Sequence, residues 1–364
     1  MALSSNRERT ILAALLSAGG GLRLALAAMP VRILIGKLLS DDSFYYFAIA
    51  RNIARGAGAT FDGLGPTNGF HPLFAALMVP CYLLFPSSPE IPVHCGLALL
   101  AAFDVLAGYF IYRTIRLFAD GPAALFAAAF WLLNPCIFFV TMTGTEAGLS
   151  ACCAAIALFL YARGRRDARS LLVLGAATGL ALLARSDSIF LLAAIAAGLL
   201  AERERPFSRR VTAACAVCGA ALLVCLPWLL WNLASFGTIR QVSGEVKPYL
   251  QRLLFLRDGG GYDAARLVPK LLENARMSFV MMATSSGVRT LGFTSLLLLV
   301  LSAALLPRAR DARPCPRLAS VILVYLGAVF CFYSFYFIFK SVNIPCQVIK
   351  FLSLIVGWLS FIFK

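Results

Sequence analysis

Long apolar segments separated by short polar clusters run through the whole chain of 364 residues. A membrane-spanning helix needs about 20 predominantly apolar residues. The pattern therefore predicts an all-α membrane protein with about ten transmembrane helices, which form a single domain over residues 1–364. The predicted spans are residues 10–38, 93–112, 123–139, 146–161, 171–183, 190–200, 211–231, 291–306, 318–339 and 348–363.

One apolar segment, residues 72–85, is too short for a full crossing and contains Pro80. Arginine clusters decide its topology, because short cytoplasmic loops carry an excess of Lys and Arg. The clusters fall on one side only if this segment does not cross, so we interpret it as re-entrant. The basic start of the chain then lies in the cytoplasm. The clusters are residues 113–116, 163–166, 203–210 and 308–317.

The first apolar segment ends in a polar stretch that begins with Asp41 and Asp42. An ionisable pair at the mouth of a membrane helix is a functional hypothesis by default. The helical spacing of residues 44–55 predicts an amphipathic helix at the lipid–water interface, which ends at Gly56 and Gly58. We assign residues 39–71 to a first outer loop. The alternative is that the two carboxylates only cap this helix.

Composition narrows the class of protein. The chain is 60% hydrophobic with a mean hydropathy of +0.83, which excludes an ordinary water-soluble domain. Its net charge of +16 would suggest nucleic acid in a soluble protein. Here the arginines lie between apolar segments, which is typical of topology signals and lipid-headgroup contacts, so we expect no nucleic-acid partner.

Further polar residues fall on the predicted outer side. Glu146 stands at the boundary of a span, and Arg185 and Asp187 lie between two short apolar segments, where an ion pair is an equally good interpretation. A long outer segment, residues 233–290, is basic: positions 240–289 hold eight Lys and Arg against four Asp and Glu. Cations on the side where they are not expected predict a bound anion, such as a phosphate.

These residues define the predicted chemistry. A carboxylate near a hydroxyl acceptor supplies a general base or binds a divalent metal, and cations hold a leaving phosphate. Asp41 and Asp42 are the candidate catalytic residues, which with Glu146 could also hold the metal, and Arg51 and Lys247 are the candidates for phosphate binding. Contact with lipid headgroups is the alternative for the two cations. Residues that could bind or support the acceptor are Tyr45, Asn68, His71, Arg185 and Asp187.

The sequence SDDSFYYFAIARNIARGAGATFDGLGPTNGFHPLF resembles the first outer loop of bacterial GT-C glycosyltransferases, which use lipid-phosphate sugars. The later segments GTEAGLS, LLARSDSIFLL and LPWLLWNLASFGTIRQVSGEVK follow in the same order. The chain is similar to protein O-mannosyltransferases and lipid A aminoarabinose transferases. The resemblance implies a bacterial inner-membrane enzyme that inverts the sugar linkage, uses a polyprenyl-phosphate-linked donor and works on the outer face. It also implies Asp41 or Asp42 as the base and Glu146 as the second acidic position.

Two other classes remain open from the sequence. A transporter or lipid flippase would also carry charges near the membrane interfaces, and an inactive membrane subunit is the third interpretation. After Arg317 the chain contains no Arg, Asp or Glu and becomes rich in Phe and Ile. We therefore expect either a naturally short or a truncated member, since relatives continue with further spans.

Overall fold

The computed structural model describes residues 5–242 together with 269, 318, 320–322 and 324–325. The described chain is helical and contains no strand, which confirms the predicted class. Its helices are α1 (Ser5–Ala27), α2 (Val31–Lys37), α3 (Asp41–Ala54), α4 (Pro72–Leu84), α5 (Ile91–Ile115), α6 (Gly121–Leu133), α7 (Pro135–Thr141), α8 (Ala147–Ala162), α9 (Ala168–Ala184), α10 (Ile189–Leu200) and α11 (Phe207–Phe236), with a 3-10 turn at Ser186–Ser188.

The number of spans is only partly supported. Among the described residues, α1, α5 and α11 are the helices long and apolar enough to cross a membrane, and α4, α6, α8, α9 and α10 are shorter apolar helices. The predicted count of about ten is therefore not confirmed. The spans predicted after residue 290 lie outside the described residues, apart from the few isolated positions near 320, as does nearly all of the outer segment 233–290.

Two of the predicted spans are each divided into two helices, and proline is the reason in both. Segment 10–38 is divided into α1 and α2, with Pro30 directly before α2. Segment 123–139 is divided into α6 and α7, where Asn134 takes an extended conformation in front of Pro135. A residue before proline avoids the helical conformation because the proline ring crowds its backbone, so each helix stops and a second one starts.

The helices run back and forth between two ends of a bundle. At one end Arg116, which follows α5, donates to Glu8 at the start of α1 over 2.7 Å. At the other end the Nδ1 atom of His94, near the start of α5, contacts the carbonyl oxygen of Ala27, the last residue of α1. We call the second end the α3 end, because α3 and the segment that follows it lie there.

Helix α4 does not lead across this bundle. Its 13 residues span about 20 Å, which is less than the roughly 30 Å of a bilayer core. His71, the N-cap residue of α4, lies beside Glu146 at the α3 end. Near the last turn of α4, Cys81 contacts Cys95 at the start of α5. Both flanks of α4 thus lie at the same end, which agrees with a re-entrant segment. Placement relative to lipid stays a prediction.

Candidate active site

Helix α3 carries the predicted catalytic pair in its first turn. Ser40 occupies the N-cap position, and Asp41 and Asp42 are both exposed. The backbone amide of Asp42 donates to the Asp41 carboxylate over 3.0 Å. Within the described residues neither carboxylate forms an ion pair, so both stay accessible. Two negative charges at a helix N-terminus are favourable, which explains why the pair can share this turn.

A second acidic segment packs directly against this turn. We call residues 142–146 the acidic loop. The backbone amide of Ser40 donates to the carbonyl of Thr143 over 3.2 Å. Gly144 has a φ of +79°, and a Cβ added there would lie 2.7 Å from Leu39 and 2.9 Å from Ser43. Only glycine fits this combination of backbone and contact, which lets the loop lie flat against the start of α3.

Glu146 ends the acidic loop and is 6% exposed. Its Oε2 accepts a hydrogen bond of 2.7 Å from the hydroxyl of Tyr46, on the buried face of α3. Its Oε1 accepts one of 2.8 Å from Arg185. Burial next to this carboxylate raises the pKa of Tyr46, so the phenol stays protonated and keeps donating. Glu146 is thus held in one orientation between α3 and the end of α9.

Arg185 and Asp187 form the ion pair that the sequence left open. Arg185 donates through Nε to Asp187 over 2.9 Å, and through Nη1 it donates to Glu146. The pair sits where α9 gives way to the Ser186–Ser188 turn, so the arginine bridges two carboxylates from different segments. This arrangement supports Glu146 and keeps Arg185 half-exposed at the surface of the cluster.

His71 completes the cluster. Its Nε2 lies 3.7 Å from Oε1 of Glu146, and its Nδ1 is buried without a hydrogen-bond partner among the described residues. Burial lowers the pKa of the imidazole, and the negative charge of Glu146 opposes that shift without cancelling it. His71 is therefore a neutral side chain that faces Glu146.

The other predicted residues at this end are not gathered around Glu146. Asn68 is fully buried and connects the segment before α4 to the end of α11: its amide nitrogen donates to Asn232 over 3.0 Å, and its oxygen accepts from the backbone amide of Val242. Tyr45 is half-exposed on α3 and packs on Phe61. The contacts of Asn68 therefore hold the segment before α4 against the end of α11.

Of the two predicted phosphate ligands, Arg51 is exposed in the last turn of α3. Lys247 lies outside the described residues. Whether either cation binds phosphate stays a prediction. The backbone carbonyl of Arg240, from the same basic segment, accepts from Asn68 over 2.9 Å, which connects the start of this segment to the chain before α4.

The predicted divalent metal finds no assembled site in the described part of the chain. No group of three or more His, Cys, Asp and Glu side chains there is placed to hold an ion. Both oxygens of Glu146 are engaged by Tyr46 and Arg185. Whether the chain binds a divalent metal stays a prediction.

Sequence reasoning missed a buried polar network behind the acidic loop. Asp104 of α5 is fully buried and forms an ion pair with Arg23 of α1, which is fully buried as well. The same carboxylate accepts hydrogen bonds from Trp131 over 2.9 Å and from Thr141 over 3.0 Å. Thr141 ends α7 and directly precedes the acidic loop. The available signal was one arginine and one aspartate, each inside an apolar span, which is rare without a function.

The fold and this site define a multi-pass helical membrane protein with an acidic cluster at one end. Residues 71–231 match the family model described as dolichyl-phosphate-mannose-protein mannosyltransferase. The resemblance to the GT-C superfamily is confirmed by this match. The matched segment includes His71, Glu146, Arg185 and Asp187, whereas Asp41 and Asp42 lie before it. No curated protein matches the chain in sequence.

Solved structures of an archaeal oligosaccharyltransferase from Archaeoglobus fulgidus are similar to the chain. AglB in complex with an inhibitory peptide and a dolichol-phosphate is 17% identical, with a TM-score of 0.49 over 86% of this chain and 38% of its own. The apo form of an oligosaccharyltransferase from that organism is 14% identical, with a TM-score of 0.48 over 94% of this chain and 52% of its own. The chain therefore spans about half or less of the length of these structures.

Proposed function

We propose that this protein is a membrane glycosyltransferase that moves a sugar from a polyprenyl-phosphate donor to an acceptor on the outer face of the membrane. The observation that carries the proposal is the docking of the acidic loop on the first turn of α3. It joins the Asp41–Asp42 turn, from outside the matched segment, to Glu146 from inside it. The family match supports the same reaction class.

In the proposed reaction, Asp41 or Asp42 accepts the proton of an acceptor hydroxyl. The oxygen then attacks the anomeric carbon of the sugar, and the bond from that carbon to the phosphate oxygen breaks. Attack from the face opposite the leaving phosphate inverts the configuration. An exposed carboxylate without a competing ion pair suits the role of base, because its oxygen is available to the incoming hydroxyl.

Glu146 has a different proposed role. Its carboxylate already accepts from Tyr46 and Arg185, so it is poorly placed to take a further proton. We assign it to holding α3 against the rest of the site and to orienting Arg185. Arg51 and Lys247 would stabilise the charge that develops on the leaving phosphate, since a cation is most valuable where charge appears in the transition state.

The test is transfer of a labelled sugar from synthetic polyprenyl-phosphate donors in membranes that contain the protein. Membranes with the Asp41→Asn/Asp42→Asn variant at equal expression are the matched control. Label in a non-lipid product only with the wild type supports the proposal. Movement of intact labelled lipid across the bilayer, equal in both preparations and without any product, would instead indicate a flippase.

A further inference from the structure

Two arginines converge on one aromatic ring at the end of the bundle opposite α3. Arg113 lies in the last turn of α5, and Arg163 is the C-cap residue of α8. Their guanidinium carbons lie 5.3 Å and 5.6 Å from the centre of the Phe159 ring. Phe159 is 6% exposed, so its ring fills the space between the two helices below the charges.

Arg113 is held in place by more than this ring. Its Nη1 donates to the hydroxyl of Tyr109 over 2.6 Å, and its guanidinium lies 5.6 Å from the centre of the Tyr109 ring. Phe110 extends the aromatic base, 5.3 Å from Phe159. A guanidinium fixed by a hydrogen bond and two rings loses less entropy when it binds a ligand than a freely rotating one.

The charges of this pair are not balanced by carboxylates. At the same end, Arg116 pairs with Glu8 and Arg166 pairs with Glu202, each over 2.7 Å. In the part of the chain that the structure describes, no carboxylate lies within ion-pair distance of Arg113 or Arg163. Each arginine lies at the C-terminal end of its own helix, and the fractional negative charge of one helix end does not neutralise a full guanidinium charge.

We propose that Arg113 and Arg163, which the Phe159 ring positions, bind the phosphodiester headgroup of an anionic phospholipid. A guanidinium offers a planar pair of donors that matches two phosphate oxygens. Basic pockets between transmembrane helices bind acidic lipid headgroups, and aromatic side chains favour the same depth in the membrane. Helix α5 is long and apolar enough to cross, which places its last turn at the headgroup level.

A lipid fits this site better than free phosphate. The floor of the site is aromatic, and Leu106, exposed on the same face of α5 two turns before Arg113, extends the apolar surface away from the charges. An acyl chain can pack against this exposed side chain, whereas inorganic phosphate would gain nothing from it. The site lies at the opposite end from Glu146, so it does not depend on the proposed transfer reaction.

The experiment measures bound lipid on the purified, delipidated full-length protein by native mass spectrometry, with phosphatidylglycerol and phosphatidylcholine as probes. Wild type is expected to retain phosphatidylglycerol in preference. Arg113→Gln/Arg163→Gln should lose that preference by about ten- to a hundred-fold, because each charge-assisted contact contributes strongly. The matched control is Arg165→Gln/Arg169→Gln, which removes the same charge from two exposed arginines of the same end and should behave as wild type.

Equal loss of preference in both double variants would overturn the proposal, because net charge alone would then explain the binding. Inorganic phosphate is also compared with phosphatidylglycerol for its effect on the thermal stability of the protein. Equal stabilisation by the two, lost in the Arg113→Gln/Arg163→Gln variant, would overturn the lipid assignment. Arg113→Lys/Arg163→Lys keeps the charge if the Gln variant does not fold. It is expected to weaken phosphatidylglycerol binding several-fold, and unchanged binding would contradict the bidentate contact.

Discussion

The backbone amide of Ser40 donates to the carbonyl of Thr143 across 3.2 Å, although 103 positions separate the two residues in the chain. This single bond joins the segment directly before Asp41 to the loop that ends in Glu146. Two acidic segments that are remote in sequence thereby become parts of one surface. The geometry of the proposed active site depends on how well this contact is kept.

Gly144→Ala should weaken this contact. The new Cβ would meet Leu39 and Ser43 at 2.7 Å and 2.9 Å, in a left-handed backbone that disfavours alanine. We expect a loss of about 2–4 kcal/mol in unfolding free energy, from backbone strain and overpacking together. The control is Gly56→Ala, where φ is +80° but nothing lies within 4 Å. Thermal unfolding should separate the variants, and equal losses would contradict the tight docking of the acidic loop.

Tyr46→Phe should leave one oxygen of the buried Glu146 without its donor. A lost partner of a buried charged group costs about 1–3 kcal/mol, so the unfolding free energy should fall by that amount. Tyr45→Phe is the neighbouring control, since Tyr45 is half-exposed, and its stability should stay near wild type. The comparison is made by thermal or denaturant unfolding in one detergent. An unchanged Tyr46→Phe midpoint would mean that this hydrogen bond contributes nothing.

Thr141→Val tests whether the buried network supports the acidic loop. Valine keeps the volume but removes the hydroxyl that donates to Asp104, whereas Thr141→Ser keeps that hydroxyl. We expect Thr141→Val to lower the turnover of sugar transfer several-fold with little change in KM, and Thr141→Ser to restore most of it. Steady-state kinetics at matched expression give both parameters. Equal behaviour of the two variants would assign Thr141 to packing alone.

Stability should depend on pH through His71. Burial holds the pKa of the folded imidazole below its ordinary value of 6.5, so the unfolded chain takes up the proton first as pH falls. The His71 contribution is therefore fully present above pH 6.5 and is lost as pH falls below 6.5 toward the lowered value. Melting temperatures of wild type and His71→Asn between pH 5 and 8 test this. Parallel pH curves of the two proteins would contradict it.

The sequence predicted most of what lies near α3. The spacing of residues 44–55 and the two glycines after them located α3 to within three residues, because local capping and periodicity determine such boundaries. The role of Glu146 as the second acidic position came from the resemblance. Its partners, Tyr46 and His71, did not, since contacts between residues 100 and 75 positions apart depend on how the helices pack.

The Arg23–Asp104 pair shows the opposite case. Each of the two is a single charged residue within an apolar segment. A hydropathy value averaged over a window of residues hardly changes when one residue in it is charged. Their pairing requires that α1 and α5 lie side by side with these two residues at the same depth. The helix breaks at Pro30 and Pro135 could have been predicted from the sequence, because the residue before proline avoids the helical conformation. They were missed because both segments are apolar throughout and were therefore interpreted as single spans.

We propose that the Asp41–Asp42 turn supplies the base for sugar transfer, and the proposed function depends most on this role. Its most direct test is the single-turnover rate of transfer from a labelled polyprenyl-phosphate sugar by Asp41→Asn and Asp42→Asn, with Asp62→Asn as control. Asp62 is an exposed carboxylate at the same end of the bundle that accepts from the backbone amide of Leu64. We expect a loss of about 100-fold or more for at least one of the first two variants and a near wild-type rate for the control. Wild-type rates in both Asp41→Asn and Asp42→Asn, at equal expression and fold, would contradict it.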